Sequence, residues 1–135
     1  MPTAAFAALR KARAGRRKPR DTGQTAIEYV GLLPVLLLVA LLVVQLGLAV
    51  FAVQQAGTAS RAAARAASYD HFDRSYEHAG RDAMSDWLAG DAEFEPDFQS
   101  DEVTVTAKVP VPSLIPGLLD GFTARRSATM PVDDH

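Results

Sequence analysis

The side chains able to do chemistry are few, and most are spaced so that they cannot act together. His71 and His78 lie seven residues apart, about 10 Å along one helix face, too far to hold one ion without further ligands. Asp73, Glu77 and Asp82 near them read as a solvated helix face. No Ser/His/Asp order, phosphate-cradling glycine loop or inward pair of carboxylates stands out, so catalysis is not expected. The absence of cysteine excludes disulfides, thiolate metal sites and thiol catalysis. What remains is Gly23-Gln24-Thr25-Ala26-Ile27-Glu28-Tyr29, in which one glycine follows a basic run and one carboxylate stands five residues on, at the mouth of an apolar segment. An ionised carboxylate in hydrocarbon costs several kcal/mol unless a cation meets it, and its own span offers none. Either Glu28 reaches headgroup water at the edge of the span, or its counter-ion comes from another chain.

The elements that position this acid are visible in the charge distribution. Residues 1–23 hold seven Lys or Arg against one Asp, whereas residues 24–135 hold seven basic and fifteen acidic residues. No charged side chain occurs from Tyr29 to Ser60, and the 25 residues Tyr29 to Val53 include nine Leu, seven Val and one Phe. At about −0.3 to −0.6 kcal/mol each, these favour membrane insertion by roughly 5 to 10 kcal/mol, which one carboxylate at the edge does not reverse. The segment is about 37 Å long as a helix, enough to span about 30 Å of hydrocarbon with some tilt. It exceeds the roughly 7 to 15 apolar residues of a cleaved secretory signal, although Val50-Phe51-Ala52 imitates a signal-peptidase site. The basic cluster Arg10 to Arg20, with Pro19 breaking any helix before the span, places the N-terminus in the cytoplasm by the positive-inside rule. It lacks the aromatic or groove-reading element of a nucleic-acid site, and Lys18-Pro19-Arg20 after Arg16-Arg17 argues against a twin-arginine signal.

Beyond the span, Ala52, Ala56, Ser60, Ala64 and Ser68 recur every fourth residue, with Ala59, Ala63 and Ala67 beside them. Such a stripe lets two helix backbones approach closely, or is simply alanine used as a helix former. Tyr69, Phe72, Tyr76, Ala79, Ala83 and Trp87 continue at helical spacing as one apolar face, either a packing seat or an adhesive patch. The helix is expected to end at Gly90; unbroken from Val30 to Ala89 it would have Gly47, Gly57 and Gly80 as soft points. Asp91 to Glu102, acidic and interrupted by Pro96, reads as a solvated loop. Val103, Val105, Ala107 and Val109 alternate with polar residues as a half-buried strand, and Phe122, Ala124, Ala128 and Met130 as a second, with Arg126 the exception. Between them Pro110, Pro112, Pro116 and Gly117 impose an irregular connection whose Leu114, Ile115, Leu118 and Leu119 form a clasp on the helix or a contact for another subunit. Two strands alone are marginal, so the hairpin must pack on the helix.

The Gly23 to Tyr29 stretch resembles a class III, type IV prepilin signal. Together with Pro34, Gln45-Leu46-Gly47, the Ala/Arg stretch Ser60 to Ala67 and the closing segments Val103 to Pro112 and Leu118 to Met130, it is closest to the TadE-like proteins of the tight-adherence (Flp) pilus. That resemblance covers most of the chain; one departure is Gln45, where TadE-like sequences often carry an acid. It implies cleavage by a prepilin peptidase between Gly23 and Gln24, leaving 112 residues with the span retained. It also implies that Glu28, with Tyr29 and Pro34 beside it, attracts the new amino terminus of an incoming subunit. Such an amine is positive near neutral pH and at about 4 Å, with an effective dielectric of 20, gains on the order of 4 kcal/mol. Major Flp pilins end soon after the span, whereas 82 residues follow Val53 here, which points to a minor pilin or pseudopilin.

The expectation is therefore an α+β chain: residues 1–23 a cytoplasmic leader that is removed, 24–53 a transmembrane helix, 54–90 an extracytoplasmic amphipathic helix, and 91–135 an acidic loop and antiparallel β-hairpin. Its function would be assembly, initiation or tip formation of a tight-adherence pilus through helix bundling along Ala52, Ala56, Ser60 and Ala64. Its partners would be the membrane, the prepilin peptidase, other pilin subunits and the assembly platform, with no nucleic acid, small-molecule substrate, metal or cofactor. The competing expectation is a membrane-anchored extracytoplasmic interaction protein that never polymerises.

Overall fold

The computed structural model describes residues 20–69, 74–117 and 120–132. The basic cluster up to Pro19, His71, Phe72, Asp73, Leu118 and Leu119 lie outside the described residues. The class is α+β: helix α1 (Arg20–Tyr69), helices α2 (Ser75–Asp82) and α3 (Asp86–Ala89), then strands β1 (Glu93–Phe98), β2 (Glu102–Pro110) and β3 (Thr123–Pro131). The chain divides into two compact units, Met1–Ala40 and Leu41–His135.

In the first unit the described residues are the beginning of α1. Every one from Gly23 to Ala40 is exposed, among them Ile27, Val30, Leu33, Leu36 and Leu38. A helix that is apolar all round and bare of its own protein needs lipid or another chain as its surroundings. It is long and apolar enough to cross a membrane, and little of it is buried, unlike the core helix of a soluble protein.

The second unit folds around the upper part of α1. Ala52, Ala56, Ala59, Ser60, Ala63, Ala64 and Ala67 are all buried, and they share one core with Val103, Val105, Ala107 and Val109 of β2 and Ala124 of β3. The period-four stripe on the helix and the period-two face of the sheet thus share one core, so what covers the stripe is a sheet of the same chain. The Ser60 hydroxyl, buried among these residues, donates to the Gly57 carbonyl at 3.0 Å and so costs little there. β2 is central in an antiparallel β1-β2-β3 sheet, with Phe94 opposite Ala107 and Val105 opposite Ala128. On the outer face, Thr104 bonds Thr129 and Thr106 bonds Ser127 across the strands at 2.7 and 2.8 Å.

Four expectations are corrected. The helix does not run on to Ala89: α1 ends at Tyr69, and Gly47, Gly57 and Gly80 all lie inside helices. The Ser85 amide at the start of α3 bonds Gln55 Oε1 at 2.9 Å, and Trp87 stacks on Phe51, whereas a straight helix would hold residues 55 and 85 about 45 Å apart. The chain instead returns alongside α1, driven by burial of Gly80, Met84 and Leu88, while Tyr69 and Trp87 stay exposed and Tyr76 only half-buried. The acidic loop contains strand β1, because Glu93, Glu95 and Asp97 alternate with Phe94, Pro96 and Phe98; an edge strand tolerates the proline, and Lys108 pairs with Glu95. Phe122 precedes β3 and is exposed. Arg126, on the inner face, lays its stem over Gly57, which explains a charged residue in that alternation.

Gly80 seats the Phe94 ring: a Cβ there would lie 2.4 Å from Phe94 Cε1, whereas one on Gly57 would meet Arg126 Nε at an ordinary 3.6 Å. Gly80→Ala should therefore lose about 1–3 kcal/mol by overpacking, despite the better helix propensity of alanine. Gly57→Ala should be neutral or gain up to about 1 kcal/mol. Denaturant melts of the full chain in detergent check this, and an equal response at both glycines would contradict the packing described.

Candidate functional site

The residues singled out by sequence separate into two groups. Gly23, Gln24, Glu28, Tyr29 and Pro34 lie on the exposed first part of α1, on which no described residue packs. A Cβ on Gly23 would meet nothing within 4 Å, so this glycine is not required by the fold. Glu28 is the one charged residue between Gln24 and Ser60, and among the described residues it has no ion-pair partner. Its carboxylate can therefore take a cation from outside the chain. Pro34 lies within the helix and has no N–H, which leaves the Val30 carbonyl without its usual intrahelical donor. The second group, Ala52, Ala56, Ser60 and Ala64, is sealed under the chain's own sheet, and the two groups do not form one site.

Sequence reasoning missed a buried polar contact on the helix that engages both ends of one side chain. Gln45, only 6% exposed, donates from Nε2 to the Pro112 carbonyl at 3.0 Å and accepts at Oε1 from the Leu114 amide at 2.8 Å. One side-chain amide thus satisfies a backbone acceptor and a backbone donor of the β2–β3 connection, as a neighbouring strand would. The available signal was a lone amide in an apolar run facing a loop whose prolines preclude ladder pairing. A carboxylate at this position could accept from Leu114 but could not donate to Pro112. Phe51 and Trp87, stacked with centroids 5.9 Å apart and planes 2° from parallel, add a second tie between α1 and the returning chain.

Two shallow clefts lie on the surface of the described residues. One is bordered by Trp87, Leu88, Asp91, Pro110, Val111 and Pro112, the other by Val53, Gln54, Gly57, Thr58, Arg61 and Arg126. Neither brings together a nucleophile and a base. Among the described residues no group of three or more His, Asp or Glu is arranged to hold a metal.

What the fold defines is an α+β protein with one N-terminal apolar helix suited to single-pass membrane anchoring. Residues 23–65 match the family described as TadE-like protein, which bears out the resemblance read from Gly23, Glu28 and Tyr29. The match begins at that glycine, takes in Gln45 and most of the alanine stripe, and ends at Arg65, before the sheet. No curated protein and no solved structure matches the chain.

Gln45→Leu should strand the Pro112 carbonyl and the Leu114 amide, at a cost of about 1–3 kcal/mol. Hydrogen exchange at Leu114 in the full chain reads this directly, and protection equal to wild type would show that the clamp is not what holds the loop.

Proposed function

We propose that this chain is a minor pilin or pseudopilin of a tight-adherence pilus. It is processed after Gly23 by a prepilin peptidase and contributes to assembly, initiation or the tip without chemistry of its own. The observation that carries this reading is a lone carboxylate, Glu28, five residues beyond Gly23 on the exposed first part of an apolar helix, within the segment matched by the TadE-like family. In it, residues 1–23 are a cytoplasmic leader, Gln24 is the mature terminus, and the span remains in the protein with the sheet outside. Glu28, flanked by Tyr29 and by Pro34, receives the amino terminus of a neighbouring subunit. Burying that pair in lipid or between helices strengthens it, because little water is left to screen it. The apolar helix from Ile27 to Val44, exposed from Ile27 to Ala40 among the described residues, is the surface along which subunits bundle. Ala52, Ala56, Ser60 and Ala64 serve that bundling indirectly, by holding the sheet close on the helix. The partners are the membrane, the peptidase, other pilin-like subunits and the assembly platform.

Because the space around Gly23 is open, Gly23→Phe should leave the fold intact and abolish cleavage. Intact-mass measurement would then find the full 135 residues, against 112 in the wild type. Glu28→Ala should be cleaved normally yet give at least about tenfold fewer filaments, as expected if even 1.4 kcal/mol of subunit attraction is lost. Counting sheared surface pili decides this, and wild-type numbers would remove Glu28 from assembly. A wild-type protein isolated with Met1 as its terminus would favour the non-polymerising anchor.

A further inference from the structure

We propose that the β2–β3 connection, residues 111–117 with the adjoining Phe122, is a membrane-interface element that rests in the outer rim of the bilayer beside α1. The proposal rests on α1 spanning the membrane. Its position follows from Gln45, which holds Pro112 and Leu114 against the helix inside the uncharged stretch Tyr29 to Ser60. Hydrocarbon about 30 Å thick is crossed by about 20 helical residues. Counted from Glu28, the last charge before the span, the far rim falls near Leu48. Gln45 and the loop it holds therefore lie at the depth of the last helical turn of the hydrocarbon, several residues before Val53. Beside them on α1, Val44, Leu46 and Val50 remain more than half exposed.

Several backbone donors of the loop are either missing or engaged within the chain. Pro110, Pro112 and Pro116 have no N–H to satisfy. The Val111 amide bonds the Phe122 carbonyl at 2.9 Å, Leu114 bonds Gln45, and the Gly117 amide bonds Asp120 Oδ2 at 2.6 Å. Even the Ser113 hydroxyl is engaged, donating to the Ile115 carbonyl at 2.9 Å. Irregular backbone is tolerated near hydrocarbon only when its polar groups are met in this way. Its large exposed side chains are apolar, Leu114 44% and Phe122 60% exposed, while the carboxylate of Asp120 marks the water side of the connection. Phe51 lies six residues beyond Gln45, about 9 Å along α1, at headgroup depth. Trp87 stacks on it and is itself half exposed, where an amphipathic ring is favoured at a membrane surface. Two separate features, the clamp and the aromatic pair, thus fall at the depths a lipid interface assigns them.

The test uses the full chain in vesicles of phosphatidylcholine and phosphatidylglycerol, with the phosphatidylcholine either plain or brominated at shallow or deep acyl positions. Trp87 is the only tryptophan, so Trp87→Phe combined with Leu114→Trp places one reporter on the loop, and Trp87→Phe combined with Leu38→Trp places one in the span. The loop reporter should lose emission to shallow bromines more than to deep ones, and adding Gln45→Leu should weaken that loss. A span reporter that is quenched while the loop reporter is untouched overturns the interface element and leaves the anchor standing. A span reporter that is not quenched removes the anchor, and the interface element with it. Loop emission that changes only as protein density rises would assign the surface to a second copy and overturn the lipid contact.

Discussion

Burial of the alanine stripe of α1 in one core with β2 is the constraint on which the folded unit depends. A helix face made of Ala52, Ala56, Ala59, Ser60, Ala63, Ala64 and Ala67 projects little beyond its own backbone, so Val103, Val105 and Val109 can bury completely against it. These valines and Ser60 are the largest fully buried side chains, which means that contact quality, more than bulk, stabilises the core. At about 1.5–3 kcal/mol for each valine removed from water, their burial is comparable with the net stability of a small domain. A larger residue in the stripe would lift the sheet and weaken every other contact in that core.

The same helix meets two environments. Towards its N-terminus it carries Leu and Val on all sides with no described residue upon them, and towards its C-terminus it carries alanine beneath a sheet. Large apolar side chains suit lipid or a neighbouring subunit, where the driving force is contact area. Small ones suit a neighbour that must come close. Glu28 and Gln45 are the polar exceptions in the apolar stretch, and they are treated oppositely. The acid has no partner among the described residues, whereas the amide is buried with both of its ends engaged. An unpaired charge at a helix edge is available for recognition by another chain; a satisfied amide instead fixes the position of a loop.

Much of this was legible in the residues. The apolar run, the acid at its mouth, the alanine stripe and the strand Val103 to Val109 are periodic or compositional features that local sequence displays directly. The match over residues 23–65 falls on that legible part. What escaped was concealed by competing signals. β1 hid behind its acids and Pro96, although Glu93 to Phe98 alternates strictly; an edge strand with a solvated outer face looks like a loop. The division of the predicted helix into α1, α2 and α3 was concealed because Tyr69, Tyr76, Ala79, Ala83 and Trp87 keep helical spacing across it.

The sequence by itself determined where the chain is apolar, which faces of α1 and β2 are buried, and where the lone acid of the apolar helix stands, because side-chain chemistry and the periods of helix and strand are local properties. Only the tertiary structure decided what covers the alanine stripe, that the chain turns back so that Trp87 reaches Phe51, and that Gln45 holds Pro112 and Leu114. Those contacts join residues 36, 67 and 69 positions apart. No local pattern encodes such pairings; they follow from which surfaces remain to be buried once the helix and the sheet have formed.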